Sequence, residues 1–298
     1  MTRIAVSGCN GFIGAAAKAE LESRGYSVLR LERPMFQPSA RADLARQVEG
    51  CSAIIHCAGL TPRRGRHVSE EEFEIANHQT TQNVGLAAAD AGVTRMVFVS
   101  SIAAVAGNEG KLAPKMPLHP TTPYGRSKAR AETGLLDIDG LRPIIVRPPL
   151  VYGPGPKGDL NLLLRLCASP LPLPFGSVDN RRSMIGVTNM VDALIFLATS
   201  PAAGDQAQIV HATDDTTLSL REIVVALRKG LNRPPRLINI PPPILRAMLQ
   251  VMGLGAISRK LLDDLEVDVS ALLALGWKPP ARPEFDLERM ARAASRSA

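Results

Sequence analysis

The sequence predicts an α/β protein built on a parallel, doubly wound sheet, with a smaller, mainly helical C-terminal lobe. Short runs rich in β-branched residues alternate with longer helical patterns through the first half of the 298 residues. This alternation is typical of a parallel sheet with right-handed crossovers and helices on both faces. Apolar residues make up 45% and charged residues 21% of the chain, a balance that indicates a globular protein and excludes a disordered chain or a coiled coil.

The predicted elements follow one another in a regular order. Strands are predicted at residues 3–7, 27–31, 53–56, 95–100 and 143–147, and helices at 13–23, 42–49, 70–91 and 124–136. A proline-rich stretch with one short helix, at 159–167, comes next. A helix at about 189–199 and a strand near 208–211 then return the chain to the sheet, and the remaining helices form the smaller lobe.

Three glycines directly after the first strand predict where a dinucleotide binds. Gly8, Gly11 and Gly14 open the first helix, so they permit a tight turn, a close backbone approach to a pyrophosphate and close helix–strand packing. The pyrophosphate then lies at a helix N-terminus, where free N–H groups and the helix dipole favour negative charge. We therefore expect a Rossmann-type dinucleotide-binding domain at residues 1–152, to which the chain returns at about 183–212, and a substrate lobe at 153–298.

The end of the second strand predicts which nicotinamide dinucleotide is used. Glu32 follows that strand, and its carboxylate can accept hydrogen bonds from the adenosine ribose hydroxyls of NAD. Arg33 comes next and can instead pair with the 2′-phosphate of NADP. NAD is the preferred prediction, and NADP is the alternative.

Tyr124 and Lys128 lie four residues apart at the start of a predicted helix, and they therefore share one face. A phenol, with a pKa of about 10, is a poor base at neutral pH, but a nearby cation stabilises the phenolate and lowers that pKa. Tyr124 can then move a proton to or from a substrate hydroxyl while hydride moves to or from the nicotinamide. Ser101 ends the fourth strand, where its hydroxyl can hydrogen-bond the same substrate oxygen.

With these motifs in this order, the sequence resembles the extended short-chain dehydrogenase/reductase family, in its nucleotide-sugar epimerase/dehydratase branch, over nearly the whole chain. The resemblance implies that Ser101, Tyr124 and Lys128 are catalytic. It also implies cofactor contacts from the glycine loop, from the end of the second strand and from four later segments. These contacts are Gly8, Gly11, Phe12, Ile13, Gly14, Glu32, Arg33, Asp43, Leu44, Ala58, Gly59, Tyr124, Lys128 and Pro148.

A nucleotide-diphosphate sugar is the substrate that the resemblance implies. The segment at 171–176 is similar to the strip against which the family packs the nucleotide base, and Arg182 matches an arginine that members use on the diphosphate. The predicted substrate contacts are Leu160, Pro172, Phe175 and Arg182. Two positions depart from the family pattern: Leu150 stands where many members carry asparagine, and a shift of one residue would place Ile102 instead of Ser101 at the catalytic position.

These features predict an oxidoreductase that acts at sugar C4, as a UDP-hexose 4-epimerase-type enzyme with NAD. The alternative is a 4-reductase of nucleotide-linked 4-keto-6-deoxy sugars, which would consume NADPH or NADH. A non-catalytic protein that senses NAD(P) is a more remote alternative. Dehydration is disfavoured, because no acidic residue lies between Thr121 and Tyr124 to protonate a departing hydroxyl.

Charge and cysteine content narrow the expected partners. The net charge of +7 favours an anionic partner. The lysines and arginines are scattered, apart from short clusters such as Arg63, Arg64 and Arg66. This distribution favours a phosphorylated small molecule over nucleic acid. Four cysteines without ligand spacing predict reduced thiols and no metal. The absence of a signal peptide and of a spanning segment predicts a cytoplasmic protein with no membrane partner, and a homodimer is a possible assembly.

Overall fold

The computed structural model describes residues 2–62, 65, 67–156 and 158–295. The basic cluster at Arg63, Arg64 and Arg66 and the loop cation Lys157 lie outside the described residues. The chain divides into two compact units. The first comprises Met1–Pro149, Asn189–Ala212 and Asp268–Lys278, and the second comprises Leu150–Thr188, Thr213–Val267 and Pro279–Ala298. The boundaries and the substrate-binding role predicted from the sequence stay predictions.

Parallel strands organise both units. The strands are β1 (Arg3–Ser7), β2 (Ser27–Leu31), β3 (Ala53–His56), β4 (Arg95–Val99), β5 (Arg142–Arg147), β6 (Leu150–Tyr152), β7 (Met184–Gly186) and β8 (Gln208–His211). In the first unit, six of them form one parallel sheet in the order β2-β1-β3-β4-β5-β8, and in the second unit β6 pairs with β7. The predicted Rossmann-like fold is therefore confirmed. The strands from β3 to β5 are almost wholly buried, as expected for a sheet covered on both faces.

Helices occupy most of the chain between and after the strands. They are α1 (Phe12–Ser23), α2 (Arg41–Val48), α3 (Glu70–Phe73), α4 (Thr80–Asp90), α5 (Pro123–Leu136), α6 (Gly158–Ala168), α7 (Val187–Thr199), α8 (Leu220–Gly230), α9 (Pro242–Val251), α10 (Gly255–Leu262), α11 (Ser270–Ala274) and α12 (Pro283–Ser295). The helix predicted at 70–91 is interrupted, because α3 and α4 are joined by a π-helical segment, Glu74–Gln79. Within the described residues, no helix is both long enough and apolar enough to cross a membrane.

Each unit has its own apolar core. In the first unit the sheet residues pack with α2, α4 and α5, and Leu44, Val84 and Leu135 are buried there. In the second unit α8 packs on α12, where Leu227 and Met290 are buried. The C-terminal helix α12 continues to Ser295 because its apolar face packs in this core.

Candidate active site

The glycine loop after β1 forms a cradle that larger side chains would fill. A Cβ on Gly14 would lie 2.3 Å from the Gly8 carbonyl oxygen, and a Cβ on Gly8 would lie 2.8 Å from the Ala58 amide nitrogen. Gly8 has a φ of +72°, in the left-handed region that favours glycine. Helix α1 follows Gly11 with no side-chain cap and no acidic residue in its first turn, so its N–H groups are available to an anion. These residues fit the pyrophosphate of a nicotinamide dinucleotide.

The loop after β3 packs against this cradle through buried polar groups. The His56 Nδ1 atom lies 2.8 Å from Ser7 Oγ, and its Nε2 atom lies 3.2 Å from Thr81 Oγ1. Burial lowers the pKa of His56 to about 3, so the imidazole is neutral at ordinary pH. The amide of Ala58 donates to Ser7 Oγ at 3.1 Å. The hydrogen bonds of Ser7 therefore hold the turn that contains Ala58 and Gly59 beside the glycine loop.

Tyr124 lies in the first turn of α5, whose N-terminus is capped by Thr122 Oγ1 at 3.0 Å from the Gly125 amide nitrogen. The Ser101 side chain is close enough to the Tyr124 hydroxyl to lower its pKa, so the structure brings these two predicted catalytic residues together. The Phe73 ring packs against the phenol, with 5.7 Å between ring centres. This aromatic contact could not be predicted from the sequence, because Phe73 lies about 50 residues before Tyr124 in the chain.

The acidity of Tyr124 is governed by its burial among the protein's own groups. Burial raises the pKa of Tyr124 above its usual value, and the Ser101 side chain opposes that rise. We expected the Lys128 ammonium, together with the nicotinamide charge, to lower this pKa, and the ammonium donates to the carbonyl oxygen of Val99. Among the protein's own groups, desolvation of the phenol is therefore the largest influence on this pKa.

Lys128 is buried at the meeting point of α5, β4 and the loop after β3. Its Nζ donates to the Val99 carbonyl oxygen at 2.9 Å, and a Cβ placed on Gly59 would lie 3.3 Å from Nζ. Burial lowers the pKa of Lys128 to about 8, and the nearby Cys57 and Glu132 oppose the shift. The geometry therefore places this predicted catalytic residue directly beside Gly59, a predicted cofactor contact.

Asn77 is a buried residue of this site that the sequence analysis missed. It lies in the π-helical segment, and its amide donates to Ser127 Oγ and to the Leu60 carbonyl oxygen, both at 3.0 Å. Its Oδ1 atom accepts from the Leu60 amide at 2.6 Å. Asn77 therefore ties the helix that bears Lys128 to the loop after β3. An asparagine inside a helical pattern was the available signal, and π-helical segments are frequent at functional sites.

A buried ion pair joins the elements that carry the catalytic residues. The Arg147 guanidinium at the end of β5 lies 2.6 Å from a Glu132 carboxylate oxygen on α5, and both side chains are almost fully buried. Ser100, next to Ser101, donates to the same carboxylate. After β5, the carbonyl oxygen of Pro148 accepts from the amide of Ile102 at 3.1 Å. Sequence alone gave no partner for Glu132.

The two residues predicted to contact the adenosine ribose, Glu32 and Arg33, are exposed at the end of β2 and in the turn that follows. Glu32 is exposed after β2 and lies 3.5 Å from Arg30, whose guanidinium also donates to Asn10 of the glycine loop at 3.3 Å. Arg33 is exposed in the short 3-10 turn that follows. Arg30, which the sequence analysis did not consider, is therefore the cation that contacts the glycine loop.

The other predicted cofactor contacts, on α1 and α2, differ in how exposed they are. Phe12 is exposed and Ile13 is half-buried at the start of α1. Asp43 forms an ion pair with Arg46 of its own helix, and Leu44 is buried in the core of the first unit. The adenine contact predicted for Asp43 and Leu44 therefore rests on the family resemblance alone.

All four predicted substrate contacts belong to the second unit. Leu160 and Phe175 are buried in its apolar core, and Pro172 is exposed. Arg182 is half-buried, and its guanidinium donates to the Asp263 carbonyl oxygen at 2.9 Å. Burial lowers the pKa of Arg182, against the nearby acidic charge of Asp263. A partly desolvated guanidinium is suited to bind a diphosphate, and this role stays a prediction.

Comparison with known proteins gives a family and several relatives. A model of the NAD dependent epimerase/dehydratase family matches residues 4–212. A UDP-glucose 4-epimerase of Vibrio cholerae is 28% identical, over 97% of this chain and 94% of the relative. A 4-hydroxy-2-methyl-3-oxo-4-farnesyl-3,4-dihydroquinoline-1-oxide ketoreductase of Stigmatella aurantiaca is 27% identical, over 82% of this chain and 78% of the relative.

Solved structures are similar to this chain in fold. MoeE5 in complex with UDP-glucose and NAD has a TM-score of 0.74 at 22% identity, and 99% of each chain is covered. RMD from Pseudomonas aeruginosa, complexed with NADPH, has a TM-score of 0.76 at 20% identity, over 99% of this chain and 100% of the other. At these identities the likeness shows the fold alone.

Proposed function

Because this chain belongs to the NAD dependent epimerase/dehydratase family, we propose that it epimerises a UDP-hexose at C4 with bound NAD. The family and its relatives are enzymes, which sets aside the alternative of a non-catalytic sensor. The observation that carries the proposal is that the Ser101 side chain lies next to Tyr124 and that the same helix, α5, bears the buried Lys128. The full-length similarity to a UDP-glucose 4-epimerase supports the choice of substrate class.

The chain's own residues supply binding and proton transfer. The glycine loop and the N-terminus of α1 bind the pyrophosphate, and the turn with Gly59 lies beside Lys128. Bound NAD supplies the group that accepts hydride from sugar C4 and returns it. Tyr124 takes the C4 hydroxyl proton on its phenolic oxygen and later returns it, while Ser101 hydrogen-bonds and orients the C4 oxygen. Lys128 supplies positive charge that favours the phenolate.

A 4-keto-sugar reductase is the second candidate, and Arg30 is the observation that favours it. The Arg30 guanidinium reaches Asn10 of the glycine loop and lies near Glu32, so a cation is available for the 2′-phosphate of NADP. In that reaction Tyr124 would donate its proton to the C4 carbonyl oxygen in one direction only. NADPH would then be consumed stoichiometrically.

Analysis of the cofactor that the purified protein carries distinguishes the two candidates. The protein is denatured, and the released nucleotide is identified by absorbance and mass spectrometry. The epimerase predicts NAD near one per chain and conversion of UDP-galactose to UDP-glucose without added reductant. A protein that releases no nucleotide, binds NADPH more tightly than NADH and oxidises NADPH with a 4-keto-6-deoxy sugar nucleotide is the reductase.

The variant Tyr124→Phe tests the assigned proton transfer. Loss of the phenolic oxygen should lower kcat by about 10³-fold, because positioned acid–base groups contribute on that order. Cofactor content should stay unchanged. Tyr26→Phe, which alters a half-buried tyrosine directly before β2, is the matched control and should retain full turnover. A Tyr124→Phe enzyme with kcat within tenfold of the parent would remove Tyr124 from the mechanism.

A further inference from the structure

Helix α9 of the second unit has apolar residues on two faces. One face packs in the core of the unit, and the other is exposed. Leu245 is buried in the core of this unit. On the other face Ile244, Met248 and Val251 recur at helical spacing, with exposed fractions of 54%, 47% and 90%, and Met252 directly after the helix is 67% exposed. Single exposed apolar residues are ordinary, but a helical row of them marks an interaction surface.

The segment around α9 has an unusual charge pattern. From residue 223 to residue 262 there are seven arginines and lysines and no aspartate or glutamate. Because the whole chain has 35 cations and 28 carboxylates, this stretch of 40 residues accounts for its entire net charge of +7. Three of the cations, Lys229, Arg246 and Lys260, form ion pairs with carboxylates from outside the stretch. Arg233, Arg236 and Arg259 are exposed, and among the described residues they have no carboxylate partner.

Two of these arginines converge with a buried one. Arg228, Arg233 and Arg236 line a cavity of about 80 Å³, and the remaining lining residues are Ser169, Pro170 and Pro234. No carboxylate is among these lining residues. The terminal nitrogens of Arg228 donate to backbone carbonyl oxygens, so Arg233 and Arg236 are the guanidinium groups suited to a phosphate oxygen. An exposed apolar side chain lies next to the cavity in each of the two chain segments that line it. Leu171, directly after Pro170, is 66% exposed, and Ile238, two residues after Arg236, is 49% exposed.

We propose that α9 and the basic segment at residues 223–262 dock this protein on an anionic lipid bilayer, with the α9 row in the interface and the arginines on lipid phosphates. An amphipathic helix binds such a surface by burying apolar side chains and by electrostatic attraction to acidic headgroups. A second copy of the chain is a poorer occupant. A twofold interface would place two carboxylate-free basic segments against each other, and like charges repel. The apolar row likewise disfavours nucleic acid.

The docking residues of α9 are not among those assigned to the proposed reaction, and docking on a bilayer surface differs from a membrane span. It would revise the expectation of no membrane partner, which was based on the lack of a long apolar segment. A helix that lies in the interface needs only one apolar face, and α9 with Met252 provides it.

Vesicle flotation of the full-length protein tests the proposal. The protein should float with vesicles that contain about one third phosphatidylglycerol, and it should not float with pure phosphatidylcholine or in about 0.5 M salt. The double variant Val251→Ser, Met252→Ser changes two highly exposed residues and should lower the bound fraction at least about fivefold. The charge reversal Arg259→Glu should do the same without altering the apolar row. Leu136→Ser, at a 43% exposed position of α5, is the control and should bind like the parent.

Three results would overturn the docking proposal. One is absence of flotation with either vesicle, another is binding that the double variant retains, and the third is a dimer in solution that the double variant splits. UDP-hexose turnover of each variant reports separately on the active site. Loss of flotation with unchanged turnover would therefore leave the proposed reaction untouched.

Discussion

The two units each bury an arginine, but they surround it differently. Arg147 in the first unit and Arg228 in the second are both 1% exposed. Arg147 faces the carboxylate of Glu132 at 2.6 Å. Arg228 has no carboxylate partner among the described residues and donates instead to five carbonyl oxygens, those of Pro234, Pro235, Arg236, Ser169 and Leu171.

The difference shows two uses of a buried guanidinium. The Arg147 pair joins a strand end to the helix that bears Tyr124 and Lys128, so charge neutralisation rigidifies regular elements around the site. Arg228 binds carbonyl groups of two irregular segments, at residues 169–171 and 234–236. One guanidinium with several donors therefore holds these two segments together.

The largest loss of unfolding free energy is expected when the buried pair of Glu132 and Arg147 is broken. Glu132→Gln leaves the Arg147 guanidinium buried without a carboxylate, so the free energy of unfolding should fall by about 3–5 kcal/mol in chemical denaturation. Glu20→Gln breaks the exposed pair with Arg24 and should cost less than about 1 kcal/mol. If both variants lose a similarly small amount, the buried pair does not stabilise the first unit in the way that we describe.

A smaller loss of unfolding free energy is expected when Arg228, which binds only carbonyl groups, is replaced. Arg228→Met removes the donors of five carbonyl oxygens and also removes a desolvated charge, and the net loss of unfolding free energy should be about 2–3 kcal/mol. Arg221→Met on the same helix, where the side chain is exposed, is the control. A loss for Arg228→Met that equals the loss for Glu132→Gln would erase the distinction between the two kinds of site.

Lys128 is a third buried cation, and its variant should show a dependence on pH. The folded-state pKa is about 8, whereas the usual value is 10.5. Below pH 8 both states are protonated, and the folded state bears the cost of the buried charge. Between about pH 8 and 10.5 the unfolded chain holds more protons, so the stability of the parent rises with pH across this window.

We therefore expect Lys128→Met to be inactive but the more stable protein at neutral pH, by about 3 kcal/mol. That advantage should shrink as the pH rises from about 8 and vanish by about 10.5, as thermal unfolding at several pH values would show. Lys111→Met, at an exposed lysine, should show no such trend. An advantage for Lys128→Met that is constant with pH would mean that the ammonium is not desolvated in the folded protein.

Most strand positions and the location of the glycine loop could be predicted from the sequence. Strands β1, β2 and β3 begin and end where their apolar runs predict, and the glycine loop precedes α1 as its spacing predicts. The π-helical segment with Asn77 was not predicted, because the pattern from 70 to 91 reads as one continuous helix. Burial of the Tyr124 phenol, which raises its pKa, was not predicted, since sequence spacing places Lys128 nearby but shows neither the desolvation of the phenol nor the contact of the ammonium with Val99.

By itself the sequence determined the order of strands and helices, the turn that requires Gly8 and the face shared by Tyr124 and Lys128. These features depend on neighbours within a few residues, where periodicity and backbone geometry act directly. Only the tertiary structure decided that Glu132 neutralises Arg147, that carbonyl oxygens surround Arg228 and that the face of α9 is uncovered. The chain segments concerned are remote in sequence, and desolvation acts only after they pack together.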